Sequence, residues 1–229
     1  MKNRFTPLFA QALAVGAVAV LTQSAQSQST VYDNTETYAG ANFNYASGAG
    51  TFMAGNEVVL GGTSTSDAIA TFQVQYDFTG TGTAAASVDA SFYANTGATY
   101  NGYATPAATT LWDAGNFTLT SFTTGAGNTL TYTVPGTVVP KDFTWVVTFS
   151  GLAAGQAAGL SLYGPAATGQ NYHDAWLNSG TGWSLVQASG SNPALEFGAK
   201  LTGTGVPEPS TIAMGVMGAC AFLVRRFKK

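Results

Sequence analysis

Apolar and polar residues alternate along much of this chain. In Phe72-Gln73-Val74-Gln75-Tyr76-Asp77-Phe78 the alternation is strict, and Val88, Ala90 and Phe92 repeat it against Asp89, Ser91 and Tyr93. Leu130, Tyr132 and Val134 follow, then Phe143, Trp145, Val147 and Phe149 against Thr144, Val146 and Thr148. A period of two sends successive side chains to opposite faces, so each run predicts a strand with one buried face. Residues 42–46, 57–60, 117–122, 159–163, 183–187 and 194–201 add shorter candidates. Turn formers separate them at Gly61-Gly62, Gly80-Thr81-Gly82, Gly125-Ala126-Gly127-Asn128 and Ser179-Gly180-Thr181-Gly182. About ten short strands at this spacing predict an all-β fold, an antiparallel sandwich. Strand number and length favour a jelly-roll-like arrangement over an immunoglobulin-like one. No repeat of propeller or solenoid length is visible.

The alternation is lost at both ends. Near the N-terminus Lys2 and Arg4 precede an apolar run over residues 8–21, followed by Ala25-Gln26-Ser27, a small-x-small cleavage site. That order predicts a signal peptide over residues 1–27, read by the Sec translocon. At the other end the chain divides into a hinge (206–211), an apolar run (212–224) and a basic stop (225–229). The hinge carries Val206, Pro207, Glu208, Pro209 and Ser210, and its two prolines force an extended backbone. Ser210 or Thr211 then caps a helix. Thirteen apolar residues make about 20 Å of helix, where a stable span takes about twenty residues. Arg225, Arg226, Lys228 and Lys229 end the chain and orient the segment with its C-terminus in the cytoplasm.

Hinge, short helix and basic stop together resemble the PEP-CTERM sorting signal of Gram-negative bacteria. The resemblance rests on Pro207-Glu208-Pro209, the run 212–224 and Arg225-Arg226-Phe227-Lys228-Lys229. It implies that an exosortase, a membrane-embedded cysteine protease-transpeptidase, cuts near the hinge and passes the body towards the cell surface. Such cargo accompanies exopolysaccharide and biofilm formation. A plain tail anchor is the alternative. Residues 28–205 are then the exported body, an ectodomain. It is similar to a recurring type of PEP-CTERM precursor ectodomain through Val31-Tyr32-Asp33-Asn34, Glu57-Val58-Val59-Leu60-Gly61-Gly62-Thr63, Gly159-Leu160-Ser161-Leu162-Tyr163 and Trp176-Leu177-Asn178. The membrane is met only through the transient C-terminal helix.

Charge changes the picture of the body. Of eight Lys and Arg residues only Lys141 and Lys200 lie in it, against ten of the eleven acids, leaving it near −8. Nothing there could neutralise a phosphate backbone, which excludes nucleic acid. The one cysteine, Cys220, lies in the tail, so the body has neither disulfide nor thiolate metal site.

Candidate chemistry is thin. His173 is the only imidazole, no Gly-x-Ser-x-Gly elbow accompanies it, and one histidine makes a zinc site improbable. It reads as a surface loop residue, and the body as non-enzymatic with no cofactor. A glycoside hydrolase would require two carboxylates converging in one cleft. Asp67, Asp113 and Asp142 read instead as turn formers and solvated charges. Calcium is the metal to consider, on Asp33, Asn34 and Glu36, or on Asp174 and Asn178. The richest cluster runs from Tyr163 to Trp183. There Tyr172, Trp176, Asn178 and Trp183 combine rings and amides as a sugar-binding face does, with Tyr100 and Tyr103 as weaker companions. The same aromatics could equally plug one end of the sandwich.

Overall fold

The computed structural model describes residues 27–47, 51–80, 86–118, 125–187 and 194–206, and every helix or strand element among them is a strand. The chain opens with β1 (Ser29–Asp33), β2 (Tyr38–Ser47), β3 (Phe52–Val59), β4 (Ser66–Thr79) and β5 (Ser87–Ala94). Four short strands follow: β6 (Thr99–Tyr100), β7 (Tyr103–Ala104), β8 (Thr110–Asp113) and β9 (Phe117–Thr118). Then come β10 (Gly125–Pro140), β11 (Asp142–Ser150), β12 (Ala157–Tyr163) and β13 (Gln170–Asn171). The last are β14 (Asp174–Asn178), β15 (Trp183–Gln187) and β16 (Ala199–Gly205).

These strands build two large antiparallel sheets and a separate two-stranded hairpin, β6-β7, within one compact unit, Gln28–Gly205. Sheet A has six strands in the order β1-β16-β4-β12-β2, with β10 also on β4. The long strand β4 gives one edge wholly to β10 and shares the other between β16 and β12. Sheet B has eight strands in the order β15-β14-β3-β11-β5-β8, with β13 on β3 and β9 on β5. The pairings nest: β1 with β16, β2 with β12, β3 with β11, β4 with β10, β5 with β8.

The alternating residues make the core, as their period dictates. Phe72, Val74, Tyr76 and Phe78 of β4 are buried opposite Val88, Ala90 and Phe92 of β5 and Phe143, Trp145, Val147 and Phe149 of β11. Ring contacts tie the sheets together, Phe72 to Phe92 at 5.3 Å and Phe72 to Trp145 at 5.4 Å. Burying a side chain of this size contributes about 1.5–3 kcal/mol, so this aromatic layer is the main source of cohesion. No thiol or disulfide is needed.

Three expectations shift. β3 begins at Phe52 rather than Glu57, because Gly55 interrupts its apolar pattern. The glycine is required there: a Cβ would run into the Trp145 carbonyl oxygen of β11. Asp67 is no turn residue but lies in β4, 2% exposed. The strand expected over 194–201 begins only at Ala199. Residues 195–199 instead pass through the interior on two buried asparagines. Asn34 accepts from Ala199 N (2.7 Å) and donates to Phe197 O (3.0 Å). Asn56 accepts from Phe197 N and donates to Leu195 O, both at 2.7 Å. Each carboxamide supplies one donor and one acceptor, standing in for a neighbouring strand that would otherwise satisfy these buried backbone groups.

The signal peptide, Pro207, Glu208, Pro209, Ser210, the run 212–224 and Arg225, Arg226, Lys228 and Lys229 lie outside the described residues. Among the described residues no helix is long and apolar enough to cross a membrane.

Candidate functional site: the outer face of sheet B

Phe92 and Trp145 point at sheet A, so their strand neighbours Tyr93, Thr144 and Val146 must point away from it. An outward face is normally wet. Here Thr144 and Trp176 are fully buried and Val146 and Ser91 nearly so. The cover is an arm over residues 95–108, closed by hydrogen bonds from Gly97 N to Thr105 O, Thr105 N to Ala98 O and Ala107 N to Ala94 O. Its tip is the β6–β7 hairpin, turning through Asn101 (φ 51°) and Gly102 (φ 89°). Positive φ at both central residues is what a two-residue type I′ turn demands, and Asn-Gly supplies it. The arm sets the Tyr100 ring edge-on against Trp176 at 6.3 Å.

The face is also concave. Tyr93 on β5 and Trp183 on β15 stand four strand positions apart and out of register, Tyr93 in the row of Glu57 and Trp183 in the row of Met53, so more than about 19 Å in a flat sheet. Their rings nevertheless meet at 5.6 Å, nearly perpendicular. Between arm and sheet this leaves a cleft of about 410 Å³, with Met53, Tyr93, Pro106, Ala107, Asn178 and Trp183 on its walls. Asn178 Oδ1 accepts from Gly180 N at 2.8 Å, leaving the amide nitrogen as the group available to donate.

The end of the face away from Trp183 is acidic, and Tyr93 stands in its row, across Thr144 from Glu57. Glu57 lies four residues along β3 from Met53, about 13 Å away. Burial, then the charge of Asp142 and a hydrogen bond with it, push the Glu57 carboxyl up to about 7. Asp142 keeps its own partner, accepting from Asn95 Nδ2 at 2.6 Å, and Asn95 Oδ1 accepts from Thr144 at 2.7 Å. Partial burial and the charges of Asp142, Glu57 and Asp174 likewise raise the exposed Tyr172 hydroxyl, which sits among them. The carboxyls of Glu57 and Asp142 share a hydrogen bond, so they are about 3 Å apart. Glycosidase carboxyls stand roughly 5–9.5 Å apart. This pair fits neither hydrolytic geometry.

The four ring and amide residues expected to act together are therefore divided. Asn178 and Trp183 line the cleft, Tyr172 belongs to the acidic end, and Trp176 lies between with no open face, since it is 0% exposed. Trp176 to Asn178 is strand β14, not loop. Tyr100 and Tyr103 ride on the arm, both exposed. Sequence reasoning missed Tyr93 as a site residue. Its signal was present: an aromatic ring at an outward strand position.

The calcium candidates are otherwise engaged. Asp33 Oδ1 accepts from Thr35 N and Oγ1, and Oδ2 pairs with Lys200 Nζ at 2.7 Å. Although burial alone would raise the Asp33 carboxyl, Lys200 and Thr35 outweigh it and hold the group below its usual range. Both Asn34 amide atoms are used, and Glu36 is exposed. Asp174 and Asn178 cap opposite ends of β14, about 13 Å apart, too far to share one ion. Among the described residues no group of three or more His, Cys, Asp or Glu side chains could hold a metal. His173 is a surface residue with a partner: its Nδ1 lies 2.6 Å from Oε1 of the buried Glu196. Comparison of this chain with protein-family models, curated proteins and solved structures found no match.

Proposed function

We propose that this is an exported, non-enzymatic protein of the cell surface or extracellular matrix, translocated by Sec and sorted by an exosortase through residues 206–229. The observation that carries the reading is where the sandwich closes. Its first strand, beginning at Ser29, pairs with its last, ending at Gly205. The sixteen strands among the described residues thus lie between the expected cleavage points, and every strand pairing described there is made within residues 29–205. The nested pairing of β2 to β5 with β12, β11, β10 and β8 supports a jelly roll over an immunoglobulin-like sandwich. A body near −8 with two lysines and many hydroxyls suits hydrated exopolysaccharide, the partner proposed here.

The test is the intact mass of the body recovered from cell surface and medium. A species running from about Gln28 to the Pro207-Glu208-Pro209 hinge is expected. Alanine at these three hinge positions should leave the body folded and the tail uncut. Wild-type protein that keeps residues 212–229 would make it a tethered envelope domain and overturn the sorting reading.

A further inference from the structure

We infer that the cleft on the outer face of sheet B binds a neutral pyranose unit of a polysaccharide and leaves it uncut. Its dimensions come first. A cleft of about 410 Å³ lies within the usual range for small-ligand sites and is ample for one hexose ring. Chemistry comes next. Trp183 is half-buried at the wall, and an indole offers a flat apolar face to the axial C–H groups of a pyranose. Tyr93, 7% exposed, stands perpendicular to it, so the two rings form a corner rather than a platform. A corner receives one sugar edge and does not receive the flat surface of a crystalline fibre. Asn178 then supplies an amide for a hydroxyl, while Met53, Pro106 and Ala107 complete an apolar floor.

Charge selects the class of sugar. Among the described residues lining the cleft none is charged. The charges of Asp89 and Asp113 act on Tyr93, so a uronate or sulfated sugar would meet repulsion and no cation. No carboxylate lines the cleft to protonate a glycosidic oxygen, and the two carboxyl pairs near Tyr93, Asp89 with Asp113 and Glu57 with Asp142, each share a hydrogen bond within the pair. The site is one of binding without hydrolysis.

This rests on the polysaccharide reading above only for the source of the ligand. The probes are the β-1,4-, β-1,3- and α-1,4-linked glucose hexamers, with an alginate hexamer as the charged counterpart, titrated calorimetrically into the full chain. At least one neutral hexamer should bind, shift the tryptophan emission, and be recovered intact. Trp183→Ala should weaken binding by about tenfold or more. Ala108→Trp, at the exposed rim and away from the core, should block it equally with unchanged thermal unfolding. Tyr172→Ala, outside the cleft, should change nothing. The inference fails if no neutral hexamer binds, if Ala108→Trp binds as wild type, or if alginate binds more tightly. Surface release without hexamer binding would remove this site and leave the sorting reading standing. Hexamer binding by a chain that keeps its tail would do the reverse.

Discussion

Across sheet A, Thr133, Thr71, Thr202 and Thr30 stand in one row, one on each of β10, β4, β16 and β1. The corresponding row across sheet B runs Leu185, Trp176, Gly55, Val146 and Ser91. Both rows face away from the core. The first is a polar, solvent-washed ladder in which Thr71 and Thr202 hydroxyls bond at 2.6 Å. The second is roofed by the arm over 95–108, with Met53, Asn178 and Trp183 on one side of it and Tyr93 and the paired carboxyls of Glu57 and Asp142 on the other. A sheet with one wet face needs only alternation. A sheet with a second, covered outer face must carry large apolar residues, a glycine for close approach and buried polar groups there, and those are the parts from which a binding site can be made.

Substitutions at matched positions sharpen that contrast. The largest effect is expected for Trp176→Ala, which empties a fully buried outward position and should cost about 3–5 kcal/mol, read as a fall in the urea midpoint. A wet outer face would give under about 0.5 kcal/mol, and that result would mean the arm does not close over sheet B. Next is Glu57→Gln. The folded carboxyl sits near 7, above its unfolded value, so its contribution is complete below the unfolded pKa and is lost as pH rises through about 7. Glutamine should therefore flatten the decline in stability between pH 5 and pH 8. It should raise stability at pH 8 by about 1 kcal/mol after allowance for solvent screening. An unchanged pH profile would show that Glu57 and Asp142 are not coupled. The smallest effect belongs to sheet A. Thr202→Val should cost within about 1 kcal/mol, and adding Thr71→Val should cost no more, since both members of the pair are then apolar. A strongly destabilised double variant would mean that this ladder is structural after all.

The same contrast explains what was legible in the residues. β4 and the inner positions of β5 and β11 could be read directly, because Phe72 to Phe78 obeys a period of two and each apolar residue lands inside. β11 also carries Val146 outward, a sign that its far face is covered. β14 escaped notice because Ala175, Trp176 and Leu177 are all buried, so no alternation marks it as a strand. Its rings read as loop chemistry instead. Asn34 and Asn56 look like turn residues, and only the path of residues 195–199 reveals them as substitutes for a strand. The candidate site was half legible. Trp183 and Asn178 belong to the β14–β15 hairpin and were found together. Tyr93 lies about 85 residues earlier and joins them only because sheet B curls, a property no local pattern records.

The pairing of β1 with β16 sets Ser29 opposite Gly203, a contact between residues about 170 positions apart, and nested strands make such separations the rule outward from β5 and β8. Closing loops of this length is slow, and sandwiches dominated by distant pairings fold in milliseconds to seconds. A chain delivered N-terminus first therefore holds β1 without its partner strand until Gly205 arrives. Until then Thr30 and Asp33 belong to an open edge able to pair with another chain.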